Sequence, residues 1–355
     1  MIFFIRRCSS PMKLSSVLES STCGLRVQEH MSGRSGGGTL KTCAEALPMN
    51  GSVLMVGLGE LLWDVLPTGK VLGGAPANFA YMSSILGNRG VPASRVGNDP
   101  LGKEARQQLH RLGLADEYVQ LDPNLPTGTA GVLIDAKGQP TFTIHESVAW
   151  DFLQWTPAWQ ELSAHADIIC FGSLAQRTPT SAETIDRFLR NSRPDAILIF
   201  DANLRQSYHD RATIKRSLEH ADILKLSDQE LPILASRLGV RDMSQEELAF
   251  SLIQEFQLRL VCITLADKGS VLLSESQCVT HPGFAVEVVD AVGAGDAFTA
   301  CLAHCFIRGH SLEEIGAYAN RLASWVATQQ GATPPIQRAQ VRSLLQSVGR
   351  AGGKG

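Results

Sequence analysis

The chain has 355 residues, with 32 Lys and Arg against 35 Asp and Glu and a formal net charge of −3. Hydrophobic residues make up 44% and charged residues 19%, a globular balance that excludes a disordered or collagen-like chain. The mild acidity leaves no electrostatic footprint for nucleic acid or an anionic membrane, and no apolar run approaches the ~18 residues of a membrane helix.

Charge is uneven along the chain. Residues 1–52 carry six basic residues (Arg6, Arg7, Lys13, Arg26, Arg34, Lys41) and three acids (Glu19, Glu29, Glu45), so they are +3 and the remainder is −6. A secretory signal is disfavoured, because Met1–Ile5 is too short an apolar core and Arg6-Arg7 follows it. The Arg and Ser content fits an organelle transit peptide, but the three acids oppose it. A flexible leader, or an upstream start with Met31 or Met49 as the true one, is the remaining alternative.

From Val53 the pattern changes. Val53–Val56, ending at Gly57, is a buried-strand run, and similar runs recur at Ile168–Phe171, Ala196–Phe200, Ile223–Leu226 and Leu260–Thr264. Amphipathic stretches of helical length lie among them, at Ala75–Leu86, Leu101–Leu112, Ser181–Arg190 and Gln245–Phe256. Such alternation implies a mostly parallel sheet covered by helices on both faces, with ligands at the carboxyl ends of its strands. Trp63–Leu72 and Thr129–His145 break the rhythm and read as short strands of a small β-flap, the second folding around Asp135–Gly138. Ala291–Gln330 reads as two helices broken at Gly309–Ser311, and Pro334-Pro335 stops the second.

The later cysteines, Cys170, Cys262, Cys278, Cys301 and Cys305, form no C-x-x-C pair and suit buried thiols in a reducing, cytoplasmic setting. Cys301, His304 and Cys305 share one expected helix, so core packing is favoured over a metal site.

Chemistry concentrates at Val288–Phe298. An apolar strand leads into Gly293-Ala294-Gly295, and a helix follows. Small residues let backbone approach a ligand, and N–H groups at a helix start favour an anion. Asp296 would repel that anion, but it makes sense as a base for a hydroxyl attacking a phosphoryl group. An acidic helix start after a glycine turn is the alternative. No P-loop occurs, and Gly57-Leu58-Gly59 lacks the third glycine of a dinucleotide fingerprint. A second constellation joins Gly59–Asp64 to Gly73-Gly74-Ala75-Pro76-Ala77-Asn78. Asp64 and Asn78 suit a polyol, whose hydroxyls donate and accept. Alternatively Asp64 is a turn residue and Asn78 a surface one.

These two motifs, about 220 residues apart, resemble those of the ribokinase-like (PfkB) carbohydrate kinases. With Phe200–Arg205, they look most like the fructokinase subgroup. The resemblance implies a three-layer α/β/α domain over 53–345 with a β-lid from about 65–72 and 129–145, a leader at 1–52 and a frayed tail at 346–355. It implies transfer of the ATP γ-phosphate to a sugar hydroxyl, most simply to the 6-hydroxyl of D-fructose. Acceptors such as 2-keto-3-deoxygluconate, ribose or a nucleoside remain alternatives, and so does a non-catalytic scaffold on the same fold.

Carried onto this chain, the resemblance makes Asp296 the base and the amides of Gly293, Ala294, Gly295 and Asp296 an anion hole. Asp64, Gly73, Gly74 and Asn78 would bind sugar. Val96–Gly102 would lie close to that site. Arg205 would meet substrate or phosphate, or form a surface ion pair. Thr264, Ala266 and Gly269 would hold nucleotide, with Ala266 standing where the family has glycine. Asn320 would border the adenine. Glu230 would act on Mg²⁺ through water, in a segment with Ser227 where the family has Asn. Asp290, with Val292 and Gly331, would hold K⁺. An acidic sugar would need Arg205 or Arg177, and a nucleoside would need an apolar pocket around Trp150, Phe152 and Trp155. The exposed flap invites a homodimer. Nucleic acid and membrane are not expected as partners.

Overall fold

The computed structural model describes residues 52–66, 69–134 and 140–351. The expectations for the leader before Ser52 and for the turn at 135–139 fall outside these residues. The chain begins with β1 (Leu54–Leu58), β2 (Leu62–Leu66), β3 (Gly69–Gly73), α1 (Ala75–Ile85), β4 (Arg89–Gly97), α2 (Pro100–Arg111) and β5 (Val119–Asp122). It continues with β6 (Gly128–Ile134), β7 (Pro140–Ile144), α3 (Pro157–His165), β8 (Ile168–Phe171), α4 (Pro179–Arg190), β9 (Ile197–Asp201), α5 (Arg211–His220) and β10 (Ile223–Ser227). The last part holds α6 (Glu230–Leu238), α7 (Gln245–Phe256), β11 (Leu260–Thr264), β12 (Ser270–Leu273), β13 (Cys278–His281), α8 (Ala294–Phe306), α9 (Leu312–Ala327) and α10 (Arg338–Ala351).

Nine strands form one sheet in the order β13-β12-β11-β10-β9-β8-β1-β4-β5. Pairing is parallel from β5 to β11 and antiparallel only at β12 and β13. Alternate residues of each strand feed opposite cores. Val56, Ile169 and Phe171 pack with Leu162, Ile185, Ile214, Leu234 and Leu252 of α3–α7. Met55, Ile168 and Cys170 pack with Leu109, Leu302, Leu322 and Val341 of α2, α8, α9 and α10. This is the expected three-layer α/β/α architecture. Strand order reverses between β1 and β8, which opens a crevice at the carboxyl ends of those two strands.

The second sheet has the order β3-β2-β6-β7. It is mixed, because β2 pairs parallel with β6 while the other two pairings are antiparallel. Its strands begin at Leu62 and Gly128, slightly before the bounds expected from alternation. The sheet is tied to the main body at its rim. Trp63 Nε1 donates to Leu101 O at 3.0 Å, and Lys70 pairs with Glu104 at 2.5 Å. Thr127 Oγ1 donates to Asp99 Oδ1 at 2.6 Å, and Asp99 also caps α2 through Gly102 N at 2.7 Å. The Val96–Gly102 segment thus latches the small sheet to the large one.

Helix α10 runs through Ala351, so the frayed tail expected from residue 346 begins inside a helix. Val341, Leu344 and Leu345 recur at helical spacing and pack against the core. Cys301 and Cys305 are fully packed in the core beneath α8.

Candidate active site

Loops at the carboxyl ends of the parallel strands meet at the crevice. Glu60 follows β1, Gly172 follows β8, Asp201 ends β9, Ser227 ends β10 and Thr264 ends β11. A narrow cavity there is lined by Glu60, Phe79, Asp201, Asn203, Asp296 and Thr299.

Asp296 sits in the first turn of α8. Gly293 precedes that helix with φ 79°, and a side chain there would come within 2.5 Å of Ala332. Glycine is therefore required by both conformation and space. Ala294 N–H bonds to Ala291 O at 3.3 Å. The amides of Gly295 and Asp296 begin the helix, where N–H groups lack intrahelical partners and the dipole favours an anion.

Asn78 Nδ2 donates to Asp296 Oδ2 at 2.8 Å. Asn78 is buried in α1, so the surface alternative is overturned. Its amide nitrogen is directed at the expected base. Burial, and then the charge of Asp201, raise the Asp296 pKa to about 6, while Asn78, Lys225 and Arg205 pull it down. Burial likewise raises Glu60 to about 7, with Asp296 adding to the rise and Arg205 opposing it. Two neighbouring carboxyls thus titrate near neutrality, where a general base is most useful.

Asp64 lies on β2, and its carboxyl is also raised by burial and lowered by Arg205. A side chain on Gly73 would approach Asp64 Oδ2 to 2.3 Å. One on Gly74, at φ 115°, would meet Glu60 O at 2.5 Å. The Gly73-Gly74 pair therefore makes room for the Asp64 carboxylate and for the backbone that carries Glu60. Arg205 is exposed, and its charge acts on Glu60, Asp64 and Asp296 together. Among the described residues it forms no ion pair, so the surface-pair alternative is not what is seen.

Arg177 is placed differently. It is buried, donates through Nε to Asp151 Oδ1 at 2.6 Å, and lies 3.9 Å from the centre of the Trp150 ring. It also donates to His145 O at 2.5 Å, just beyond β7. Its charge is spent on holding the exit of the small sheet. Trp150 is fully buried, and Trp155 meets Phe188 edge-on at 6.3 Å. These aromatics are packing residues.

Glu230 opens α6. Its Oε1 accepts from Leu204 N at 2.7 Å, and its Oε2 accepts from Ser227 N at 2.7 Å and Ser227 Oγ at 2.9 Å. The short Ser227 thus has a definite role: it locks Glu230 against the loop that carries Arg205. Asp290 bridges two loops, with Oδ1 accepting from Val292 N and Oδ2 from Gly331 N, both at 3.0 Å. The three residues expected around K⁺ are together.

On the nucleotide side, Thr264 ends β11 and the chain turns tightly through Ala266 and Gly269. Leu265 N–H donates to Gly269 O at 2.8 Å. Ala266 adopts φ 54°, the left-handed conformation that glycine would enter freely. Gly269 has φ 89°, and a side chain there would meet His281 O at 1.9 Å. Asn320 lies on α9. It is buried between α9 and β12, and its Nδ2 donates to Ser270 Oγ at 2.7 Å and Gly316 O at 2.8 Å. These bonds fasten helix to sheet.

Sequence reasoning missed Lys225, in the middle of β10. Its Nζ lies 3.1 and 3.2 Å from the two carboxylate oxygens of Asp201, on the neighbouring strand. Thr299 Oγ1 of α8 donates to Asp201 Oδ2 at 2.7 Å. A lysine interrupting an otherwise apolar strand was the available signal.

A carboxyl group beside a small-residue helix start, at the switch point of a parallel sheet, is the arrangement expected of a phosphotransferase with an alcohol acceptor. Residues 58–339 match the pfkB family of carbohydrate kinases, and the chain belongs to that family. It is 28% identical over 324 residues to fructokinase-1 of Oryza sativa, covering 84% of this chain and 99% of that one. It is 28% identical over 291 residues to the fructokinase of Vibrio alginolyticus, covering 77% of this chain and 92% of that one. Among solved structures, a fructokinase double mutant from Vibrio cholerae with fructose, ADP and potassium superposes with a TM-score of 0.70 at 26% identity, covering 83% of this chain and 98% of that one. No helix among the described residues is long and apolar enough to cross a membrane.

Proposed function

We propose that this carbohydrate kinase transfers the γ-phosphate of ATP to the 6-hydroxyl of D-fructose. The observation that carries the mechanism is Asp296, oriented by Asn78 at the start of α8 and raised to about 6. Its ionised carboxylate accepts the hydroxyl proton as the sugar oxygen bonds to the γ-phosphorus. The bond from that phosphorus to the β,γ-bridging oxygen breaks, and ADP departs. Helix-start amides after Gly293 meet the charge on the transferred group. Asp64 and the space left by Gly73 and Gly74 hold the sugar. The small sheet, latched at its rim, covers the sugar and excludes water. Thr264, Ala266 and Gly269 receive the nucleotide.

The crevice carries Glu60, Asp64, Asp201, Glu230 and Asp296 against Lys225 and Arg205. That excess of carboxylates is chemically suited to a divalent cation and unsuited to bare ATP. Glu230 would hold Mg²⁺ through water, and Mg²⁺ would neutralise phosphate charge. Asp290, Val292 and Gly331 are suited to K⁺, whose hard oxygen ligands they offer. Fructose is favoured by the fructokinase relatives. Arg205 favours a second acceptor class, acidic sugars, because it is an exposed cation near Asp64 that forms no ion pair among the described residues. A dimer through the small sheet is favoured by its edge strands β3 and β7 and by exposed Val65 and Val71. Residues 1–52 carry none of these roles and should be dispensable for turnover.

ADP release should be measured with a panel of sugars, sugar acids and nucleosides, using the full chain and a chain starting at Ser52. Fructose is expected to give the highest kcat/KM, equally in both. Faster turnover of 2-keto-3-deoxygluconate would replace fructose with the acidic acceptor. No turnover with any acceptor would leave a scaffold.

A further inference from the structure

We propose that Lys225 is a positioning residue for phosphoryl transfer, held by Asp201 and Thr299 as the fixed cationic floor of the Gly293–Asp296 turn. This rests on the kinase function proposed above. Lys225 lies between the fully buried Leu224 and Leu226 in a central parallel strand. A lysine is almost never placed there unless it is paired and has work to do. Its pairing is with Asp201, one strand away and in register. Its position is under the turn, because a methyl group on Gly295 would lie only 3.1 Å from Nζ. Gly295 is thus the residue whose lack of a side chain lets the ammonium approach the helix start.

Thr299 closes the arrangement one helical turn along α8. Its Oγ1 donates to Asp201 Oδ2 at 2.7 Å and lies 3.0 Å from Gly295 O. Three elements, β9, β10 and α8, therefore converge on Gly295. The other charged groups around the turn are Glu60, Asp64, Glu230, Asp290, Asp296 and Arg205. Of the two cations, Arg205 is exposed. Lys225 is buried and fixed. Burial works against its charge, but Asp201, then Glu230 and Asp296, outweigh it and hold the ammonium above its ordinary pKa. A charge fixed out of water needs no reorganisation when negative charge builds at the turn.

A buried pair that only stitched β9 to β10 would tolerate neutral replacement. Lys225→Met alone is a poor test, since it leaves Asp201 buried and unpaired. The double variant Lys225→Met/Asp201→Asn removes both charges and leaves no unpaired buried charge. It is expected to fold and to keep KM for sugar and ATP within about threefold, with kcat lower by about 10²-fold. Wild-type kcat in the folded double variant would overturn the proposal. Thr299→Val, which keeps the ion pair, covers the case in which the double variant does not fold. It is expected to lower kcat about tenfold with KM unchanged, and Thr299→Ser to restore it. Unchanged turnover in Thr299→Val would also overturn the proposal. A wild-type protein that transfers no phosphate to any acceptor would sink the kinase function itself, and the proposal with it.

Discussion

The two ends of the crevice are built differently. Around the α8 start, four acids are engaged: Asp296 with Asn78, Asp201 with Lys225 and Thr299, Glu230 with Ser227 and Leu204, Asp290 with Val292 and Gly331. At the small sheet, Asp64 makes no hydrogen bond or ion pair with another described residue, and Val65 and Val71 are 46% and 44% exposed. The first region is preorganised for chemistry. The second holds its groups open for a ligand and is fixed only along its rim. Substitutions at the first should therefore strike kcat, and substitutions at the second KM.

The largest effect that sharpens this contrast is expected from Gly293→Ala, because the new methyl meets Ala332 and the φ of 79° is lost or strained. Steady-state kinetics should show kcat lower by ~10²–10³-fold with little change in sugar KM. Gly73→Ala pushes on Asp64 instead, and sugar KM should rise by about tenfold or more while kcat falls less. A variant at either position with the opposite pattern would break the comparison. The pH profile is next. Asp296 must be ionised to accept a proton, so kcat/KM should fall about tenfold per pH unit below about 6 and level off above it.

Glu60 gives a stability effect of opposite sense to an ordinary paired acid. Its folded pKa of about 7 lies above its ordinary 4.5, so the folded protein holds the proton more tightly. Stability is therefore lost as pH rises from about 4.5 to about 7. Thermal unfolding should show Glu60→Gln to be more stable than wild type by about 1–3 kcal/mol at pH 8, with the gain gone at pH 4. The smallest effect is expected from Ala266→Gly. It relieves a left-handed alanine, and unfolding should show a gain of about 1 kcal/mol or less.

Much of the fold was legible because buried parallel strands are short apolar runs. Ile168–Phe171, Leu260–Thr264 and helix Gln245–Phe256 have the bounds read from sequence. The helix is framed by a capping box between Ser244 and Glu247. Strand β4 was not legible. Arg89–Gly97 contains Gly, Pro, Ser and Arg, yet it is paired on both sides, with β1 and β5, and buried after its first residue. Pro92 there would argue against a strand if tertiary packing did not override it. Asp296 and Asn78 could be found because turn and helix chemistry is local. Lys225 could not, since its meaning depends on the register that sets it beside Asp201. Likewise, nothing local showed that Asn320, a polar residue on a late helix, would bond to Ser270.

The central claim is that Asp296 is the base of a sugar kinase. Its most direct test is single-turnover transfer from ATP to fructose by Asp296→Asn beside wild type, with Mg²⁺ and both proteins shown to be folded. Asn keeps the shape and removes the base. The transfer rate should fall by about 10³-fold or more, with fructose and ATP still bound. A rate within tenfold of wild type would contradict the account.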